Sequence, residues 1–330
     1  MPHDEPSHRE EILARFSRLR DWLRYAVSRF NAADLAYGHG TTNAFDEAAF
    51  LVLEGLRLPI DRLEPFLDAR LTGQERARLL NLIERRVHER KPVAYLLNRA
   101  YIQGIGFYVD ERTIVPRSFI GELLFGGLVG EGGLLERPDE VATVLDLCAG
   151  GGSLAILAAR VFPNALIDAV DVSPDALDVA RRNVAEHALG ERIALHQGDL
   201  FEPLGARRYD VILANPPYVD AEALSAFPPE FSAEPRLAHN GGEDGLALVR
   251  MILQQAGAHL TANGALICEV GRGRARVEAA FPEVAMLWLD TEESEGEVLL
   301  AWGRDLPGGR PTTITPPNAG VARPPRRKTK

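Results

Sequence analysis

The chain has 330 residues, of which 46% are hydrophobic and 25% are charged, so it can bury a full core, and its length suggests two domains. Its formal net charge of -10 argues against general attraction to nucleic-acid phosphates and suits a basic protein partner. No apolar run is long enough to cross a bilayer, and residues 1–11 are polar and acid-rich, unlike a signal peptide. We therefore expect a cytoplasmic protein with no membrane partner and no strong general nucleic-acid binding.

The first part of the chain, residues 1–95, has the pattern of a small helical domain, and we expect it to recognise the substrate. Apolar residues recur at helical spacing from Glu10 to Phe30, which predicts one amphipathic helix. A second helix is predicted from Ala44 to Leu56 and a third from Thr72 to about Glu89. The third begins with a capping-box pattern, in which the side chains of a threonine and a glutamate satisfy free backbone amides.

Residues 96–135 are predicted to link this domain to the next one. Between Tyr101 and Pro116 the pattern changes to aromatic and β-branched residues with Gly104 and Gly106, which predicts a β-hairpin. We expect the hairpin to form one wall of an active cleft. Phe107 is expected to close that cleft over the substrate, with ordinary core packing as the alternative.

In residues 136–304, strand-like runs alternate with helical segments, which is typical of a parallel sheet covered by helices. The last two runs resemble a terminal pair of strands. The prediction is an α/β fold with a doubly wound, mostly parallel, seven-stranded Rossmann-like sheet. The runs span residues 141–146, 166–171, 193–197, 209–214, 265–270, 284–289 and 298–302.

Two further features of the sequence are assigned no chemistry. Residues 305–330 are rich in proline, glycine and arginine and have no apolar period, which predicts a disordered, basic tail. The two cysteines, Cys148 and Cys268, fall at predicted strand ends and lack the spacing of a zinc site or a disulfide framework. We therefore predict no metal site and expect both thiols to be buried.

The first strand of the sheet runs into a glycine-rich turn that begins a helix. Glycine has no Cβ, so the backbone there can approach a ligand closely. Gly150, Gly152 and Ala155 satisfy the dinucleotide-binding pattern, and Asp171 ends the second strand where ribose hydroxyls would lie. The turn alone does not distinguish a nicotinamide dinucleotide from S-adenosylmethionine. The residues assigned to cofactor binding are Asp146, Cys148, Gly150, Gly152, Asp171, Asp199 and Asn215. Asp199 is expected at the adenine amino group, with an ordinary turn-forming aspartate as the alternative.

The sequence Asn215-Pro216-Pro217-Tyr218 directly follows the fourth predicted strand. It favours S-adenosylmethionine over a nicotinamide dinucleotide, because hydride transfer has no evident use for a bidentate clamp on an NH2 group. Two prolines stiffen the loop and remove backbone donors. The side-chain oxygen of Asn215 and the carbonyl of Pro216 can then accept both hydrogens of one NH2 group, while Tyr218 packs over it. We assign catalysis to Asn215, Pro216 and Tyr218 and substrate binding to these residues with Pro217 and Phe107. The alternatives are a plain turn and, for Tyr218, core packing.

From residue 21 to 302 the chain resembles S-adenosylmethionine-dependent methyltransferases that modify the side-chain amide of glutamine in translation proteins. Asn-Pro-Pro-Tyr occurs also in adenine-N6 DNA methyltransferases, so the flanking sequence carries the distinction. The release-factor branch usually has Pro-Arg-Pro followed by Glu-Thr-Glu, whereas Pro116-Arg117-Ser118 resembles the ribosomal-protein branch. The other segments that carry the resemblance are 37–43, 90–96, 107–112, 120–123 and 215–222. Small departures occur at Ala149 and Phe119, where the family often has threonine and proline.

The resemblance implies that residues 136–304 bind S-adenosylmethionine and that the substrate is a glutamine of the large-subunit ribosomal protein L-three. A release-factor glutamine methyltransferase is the first alternative. A nucleic-acid adenine methyltransferase and a non-enzymatic ribosome assembly factor are the others. Among secondary residues, we expect Glu269 to line the pocket, Arg117 to pair with Glu122, and His39 to be a loop or docking residue.

Overall fold

The computed structural model of the protein describes residues 8–292 and 294–309. The first five helices form an amino-terminal helical region. Its core contains the fully buried side chains of Trp22 and Phe30, each of which contributes roughly 2 kcal/mol through removal of apolar surface from water. The helices are α1 (His8–Arg15), α2 (Leu19–Ala32), α3 (Ala44–Gly55), α4 (Gly73–Glu89) and α5 (Val93–Leu97).

The single helix predicted from Glu10 to Phe30 is wrong, because the chain breaks between α1 and α2. The carboxylate of Asp21 accepts hydrogen bonds from the backbone nitrogens of Ser17, at 3.0 Å, and Arg18, at 2.8 Å. These amides therefore begin a new helix instead of continuing the first one. The predicted capping box of α4 is confirmed, with Thr72 and Glu75 each accepting from the other's backbone nitrogen.

The predicted hairpin is present but shorter than expected. It consists of β1 (Ala100–Ile102) and β2 (Ile105–Phe107), paired antiparallel. The strands end because the side chain and carbonyl of Asp110 turn the chain, accepting from the backbone nitrogens of Arg112 and Thr113 at 3.1 Å each. Residues 108–118 then run as a loop toward the large sheet.

The seven-stranded sheet confirms the predicted fold class. Its strands lie in the order β5-β4-β3-β6-β7-β9-β8, and β9 runs antiparallel to the other six. The strands are β3 (Thr143–Leu147), β4 (Leu166–Asp171), β5 (Ile193–Gln197), β6 (Tyr209–Ala214), β7 (Leu260–Glu269), β8 (Leu287–Leu289) and β9 (Val298–Trp302). The helices of this region are α6 (Phe119–Phe125), α7 (Ser153–Val161), α8 (Pro174–Glu186), α9 (Ala221–Ser225), α10 (Ala247–His259) and α11 (Arg274–Ala280).

Helices cover both faces of the sheet, and successive strand residues enter opposite cores. Val144 packs on the α7 side with Ile156, whereas Leu145 packs on the α10 side with Ile252. The strand order reverses between β4 and β6, on either side of β3. Ligands of open α/β sheets bind where such a reversal leaves a crevice at the carboxyl ends of the strands.

The end of the chain is ordered further than the predicted tail boundary. Leu306 is 4% exposed and packs in the α10-side core. Residues 310–330, where the rest of the predicted tail falls, lie outside the described residues. Among the helices that the structure describes, none is long and apolar enough to cross a membrane.

Candidate active site

A cavity of about 550 Å³ lies at the carboxyl ends of β3, β4 and β6. This is the size range of small-molecule and cofactor sites. Six of the seven residues assigned from the sequence to cofactor binding line it: Asp146, Cys148, Gly150, Asp171, Asp199 and Asn215. The seventh, Gly152, is not among the described lining residues and is the N-cap of α7. Pro216, Pro217 and Tyr218 line the cavity as well.

The turn after β3 is built from left-handed backbone. Cys148, Gly150 and Gly152 have φ values of 58°, 52° and 77°. At Gly152 a Cβ atom would lie 3.2 Å from the side chain of Ala180 on α8, so this position needs glycine for both conformation and space. The Cys148 side chain is only partly buried, which differs from the burial predicted for both cysteines; Cys268 is fully buried in β7.

Asp146 is the penultimate residue of β3, lines the cavity and has no solvent exposure. One carboxylate oxygen, Oδ2, accepts from the backbone nitrogen of Ala155 at 2.9 Å, near the start of α7. The other oxygen, Oδ1, is buried with no hydrogen-bond partner in the described chain. Burial raises the pKa of this carboxyl to about 8. An unpartnered buried oxygen suits a ligand that brings a donor or a positive charge.

Asp171, at the end of β4, holds the glycine-rich turn in place. Its two oxygens accept from the backbone nitrogens of Gly150 and Ser173, each at 2.8 Å. Burial raises the pKa of this carboxyl as well, although those two hydrogen bonds oppose the effect. Asp199, after β5, is exposed at the rim of the cavity.

The Asn215 amide is anchored at one end only. Its nitrogen, Nδ2, donates to the backbone oxygen of Arg117 at 3.4 Å. Within the described residues, neither its oxygen Oδ1 nor the carbonyl oxygen of Pro216 accepts a hydrogen bond. Two acceptors of the predicted clamp are therefore available to a ligand in the cavity.

Tyr218 follows this pair and is fixed by close packing against two glycines. A Cβ atom at Gly271 would lie 2.6 Å from the tyrosine ring, and one at Gly245 would lie 2.5 Å from the tyrosine carbonyl oxygen. Burial raises the pKa of the Tyr218 hydroxyl, so the ring stays neutral. Tyr218 is thus both a packed residue and part of the lining.

Phe107 does not close the cleft, so its predicted placement is wrong. The side chain is fully buried at the end of β2 and belongs to the α7-side core, with its ring 5.4 Å from that of His187. It is not among the described residues that line the cavity. The short hairpin directs this ring into the core, in agreement with the alternative of ordinary core packing.

Two secondary expectations are also corrected. Glu269 is buried behind the lining, where it accepts from Ser118 Oγ at 2.5 Å and from the backbone nitrogen of Ile120 at 3.2 Å. Its burial raises the pKa to about 7. Arg117 pairs with Glu234 rather than Glu122. The Glu122 carboxylate instead accepts from the backbone nitrogen of Glu292 at 2.7 Å.

Part of the cavity wall was missed altogether by sequence reasoning. The loop between α9 and α10 contributes apolar side chains to the lining, including Phe227, Phe231 and Leu237, the last of which is 58% exposed. His39 lies in a loop, as predicted, but it is buried with its ring 4.3 Å from that of Phe231. The high share of aromatic and proline residues between 227 and 235 was the available signal.

Comparison with known proteins agrees with this architecture. A family model described as the methyltransferase small domain matches residues 133–227, a span that contains the glycine-rich turn and the Asn-Pro-Pro-Tyr sequence. A ribosomal protein uL3 glutamine methyltransferase from Bradyrhizobium diazoefficiens is 60% identical over 291 residues, covering 87% of this chain and 91% of the relative.

Two further relatives have the same name. The protein from Bordetella pertussis is 55% identical and covers 86% of this chain and 94% of the relative. The one from Burkholderia pseudomallei is 52% identical and covers 88% of this chain and 96% of the relative. The resemblance inferred from the sequence is confirmed, and the chain belongs to the family of ribosomal protein uL3 glutamine methyltransferases.

Proposed function

We propose that this protein transfers a methyl group from S-adenosylmethionine to the side-chain nitrogen of a glutamine in ribosomal protein uL3, the large-subunit protein L-three. The observation that carries the proposal is the anchored Asn215 amide: within the described residues, neither its oxygen nor the neighbouring carbonyl oxygen of Pro216 accepts a hydrogen bond. Two adjacent acceptors suit a planar NH2 group, which glutamine carries. The relatives that share most of this chain act, by name, on a glutamine of uL3.

The cavity lining fits S-adenosylmethionine, whose bound form supplies an electrophilic methyl group on a sulfonium. The unpartnered Oδ1 of Asp146 suits the ammonium of the methionine part. Asp171 has lone pairs beyond those used by Gly150 and Ser173, and these suit the ribose hydroxyls. Asp199, exposed at the rim, suits the adenine amino group.

The protein's contribution to the reaction is to orient a weak nucleophile. An amide nitrogen is weak because its lone pair is delocalised into the carbonyl group. Asn215 Oδ1 and Pro216 O accept the two N–H hydrogens, which fixes the nitrogen in line with the methyl group and favours the positive charge that develops on it. Tyr218 bounds the flat amide on one side.

The atoms balance without a strong base. A nitrogen–carbon bond forms as the sulfur–carbon bond breaks, and the sulfur keeps the electron pair. The nitrogen then loses one proton to water and remains an amide with a single methyl group. An acidic enzyme suits a basic ribosomal protein as substrate, and we assign the reaction to the cytoplasm, before or during ribosome assembly.

The test is to incubate the purified protein and S-adenosylmethionine separately with uL3 and with a class-one release factor, and then to locate added methyl groups by peptide mass spectrometry. A methylated glutamine in uL3 alone is the expected result. Modification of the release factor alone would keep the chemistry and reverse the substrate assignment. Methyl groups on neither protein would contradict the proposal.

A further inference from the structure

Two buried glutamates, Glu230 and Glu234, lie in the loop between α9 and α10 and take no direct part in the reaction proposed above. Glu230 is fully buried and Glu234 is 5% exposed. A carboxylate remains charged in a protein interior only where hydrogen bonds and opposite charges replace its lost hydration. Each buried carboxylate is therefore expected to have several hydrogen-bond partners that fix its position.

Glu230 is directed toward the amino-terminal helical region. It accepts from the backbone nitrogen of Ala36 at 3.2 Å, from the guanidinium of Arg86 at 3.4 Å and from that of Arg90 at 3.2 Å. Arg86 is also paired with Glu47, at 3.1 Å. None of these partners of Glu230 lines the cavity in the described chain.

Glu234 is directed toward the cavity wall. Its Oε1 accepts from the backbone nitrogen of Val115 at 2.8 Å, and its two oxygens accept from the two terminal nitrogens of Arg117, each at 2.7 Å. His239 Nε2 lies 2.9 Å from Oε2 and His39 Nε2 lies 3.6 Å from it. Burial alone would raise the pKa of Glu234, but these partners outweigh it and hold the pKa below the usual range.

The paired arginine belongs to the segment that anchors Asn215. The backbone oxygen of Arg117 receives the Asn215 Nδ2 donor, and the Arg117 side chain donates back to the backbone oxygen of Val115 at 3.1 Å. Glu234 thus holds residues 115–117 at both ends. Because a carbonyl oxygen can only accept, its position selects the amide orientation in which Asn215 presents Oδ1, rather than Nδ2, to the cavity.

We infer that Glu234 is a positioning residue for methyl transfer, which it supports by fixing the Arg117 carbonyl that orients the Asn215 amide. This inference rests on the proposed function, since it gives the oriented oxygen the role of accepting from the substrate NH2 group. The ion pair of Arg117 and Glu234 is bidentate, with two parallel hydrogen bonds, and this geometry restrains both side chains. The 3.4 Å bond from Asn215 is long, so a small shift of residues 115–117 is enough to lose it.

Glu234→Gln is the primary test, and Glu230→Gln is its matched control from the same loop. Turnover of uL3 and the dissociation constant of S-adenosylmethionine are measured for both variants, together with their melting temperatures. We expect kcat to fall about tenfold or more in Glu234→Gln, with the cofactor dissociation constant changed less than about threefold. Glu230→Gln should lower the melting temperature while leaving kcat within about twofold of wild type.

A substrate-independent measurement separates failure of this inference from failure of the proposed function. The side-chain NH2 signals of Asn215 in a ¹⁵N–¹H correlation spectrum are assigned by their loss in Asn215→Ala. They should shift in Glu234→Gln and stay in place in Glu230→Gln. A wild-type protein without activity on uL3 contradicts the proposed function, whereas unshifted Asn215 signals in Glu234→Gln contradict the inference.

Two further outcomes bear on the role of Glu234. If kcat falls equally in both glutamine variants, or in neither, the positioning role is overturned. Should Glu234→Gln fail to fold, Arg117→Lys provides the test, because lysine keeps the positive charge but cannot form the bidentate pair with Glu234. The expected result is a kcat loss of about fivefold or more with cofactor binding retained, and an unchanged kcat overturns the inference.

Discussion

The two walls of the cavity are assembled in different ways. The cofactor wall, to which we assign S-adenosylmethionine, is made of the turn after β3 with Asp171 and Asp199, and it comes from residues at the ends of adjacent parallel strands. The substrate wall, made of residues 113–118, 215–218 and 227–239, joins three segments that are far apart in the chain. A cofactor site of this kind therefore follows from the topology of the sheet, whereas the proposed substrate site depends on a few long-range polar contacts.

The largest expected effect is on the substrate wall, from Asn215→Ala. Removing the amide deletes one of the two acceptors that we propose for the substrate nitrogen, and we expect turnover to fall by about a thousandfold, as for loss of a group that stabilises developing charge. The cofactor dissociation constant should stay within about tenfold of wild type because the other cofactor-wall contacts remain. Methyl transfer and calorimetric binding, measured on the same preparation, check both points. Normal turnover in this variant would contradict the proposed role of Asn215 in orienting the substrate nitrogen.

Glu269 lies behind the substrate wall and accepts hydrogen bonds from Ser118 and Ile120. Glu269→Gln tests its protonation state through the pH dependence of the free energy of unfolding. In the unfolded chain this carboxyl ionises near its ordinary value of 4.5, whereas in the folded protein burial keeps it protonated up to about pH 7. As the pH rises, the unfolded chain therefore loses this proton first. The contribution of Glu269 to the free energy of unfolding is fully present below pH 4.5 and is lost by about pH 7.

The glutamine variant lacks this titration but keeps an oxygen acceptor for Ser118 and Ile120. Its free energy of unfolding, relative to wild type, should rise by about 3 kcal/mol between pH 4 and pH 8. Urea denaturation across that range measures the difference. A difference that stays constant with pH would show that Glu269 is ionised in the folded protein.

On the cofactor wall, Asp171→Ala should weaken S-adenosylmethionine binding by about tenfold or more, since it removes the hydrogen bonds that we propose to the ribose and those that hold Gly150 and Ser173. Asp175→Ala is the control, because Asp175 is an exposed residue in the first turn of α8 and lies outside the described cavity lining. Isothermal calorimetry compares the two. An unchanged dissociation constant for Asp171→Ala would rule out its ribose role.

The smallest expected effect is at Phe107, which belongs to neither wall. Phe107→Leu should lower the free energy of unfolding by about 1 kcal/mol through imperfect repacking of the core. Its kcat should remain within about twofold of wild type. Denaturation and turnover assays check these values, and a large loss of kcat at unchanged stability would restore the cleft-closing role predicted from the sequence.

Local rules explain which features could be predicted. Asp171 is the last residue of a strand, and the glycine-rich turn and Asn215 each follow a strand directly, so strand patterns alone were sufficient to bring them together. By contrast, Arg117 and Glu234 are separated by 117 residues, and Ser118 and Glu269 by 151. An acidic side chain in a sequence does not specify its distant partner, and for that reason Arg117 was paired wrongly.

Two errors within single elements have local causes. The break between α1 and α2 depends on the Asp21 side chain competing for backbone amides within an otherwise continuous apolar period. Phe107 was misplaced because each strand of the hairpin has only three residues. In such a short strand, the sequence pattern does not determine which face of the hairpin the last side chain occupies.

The most direct test of the central claim is a crystal structure of this protein with S-adenosylhomocysteine and a uL3 peptide that contains the target glutamine. The two distances that matter run from the glutamine side-chain nitrogen to Asn215 Oδ1 and to the Pro216 carbonyl oxygen. We predict that both are about 3.2 Å or shorter, with Asn215 Nδ2 still bound to Arg117. A glutamine whose nitrogen contacts neither oxygen, or an Asn215 that presents its nitrogen to the substrate, would contradict the account.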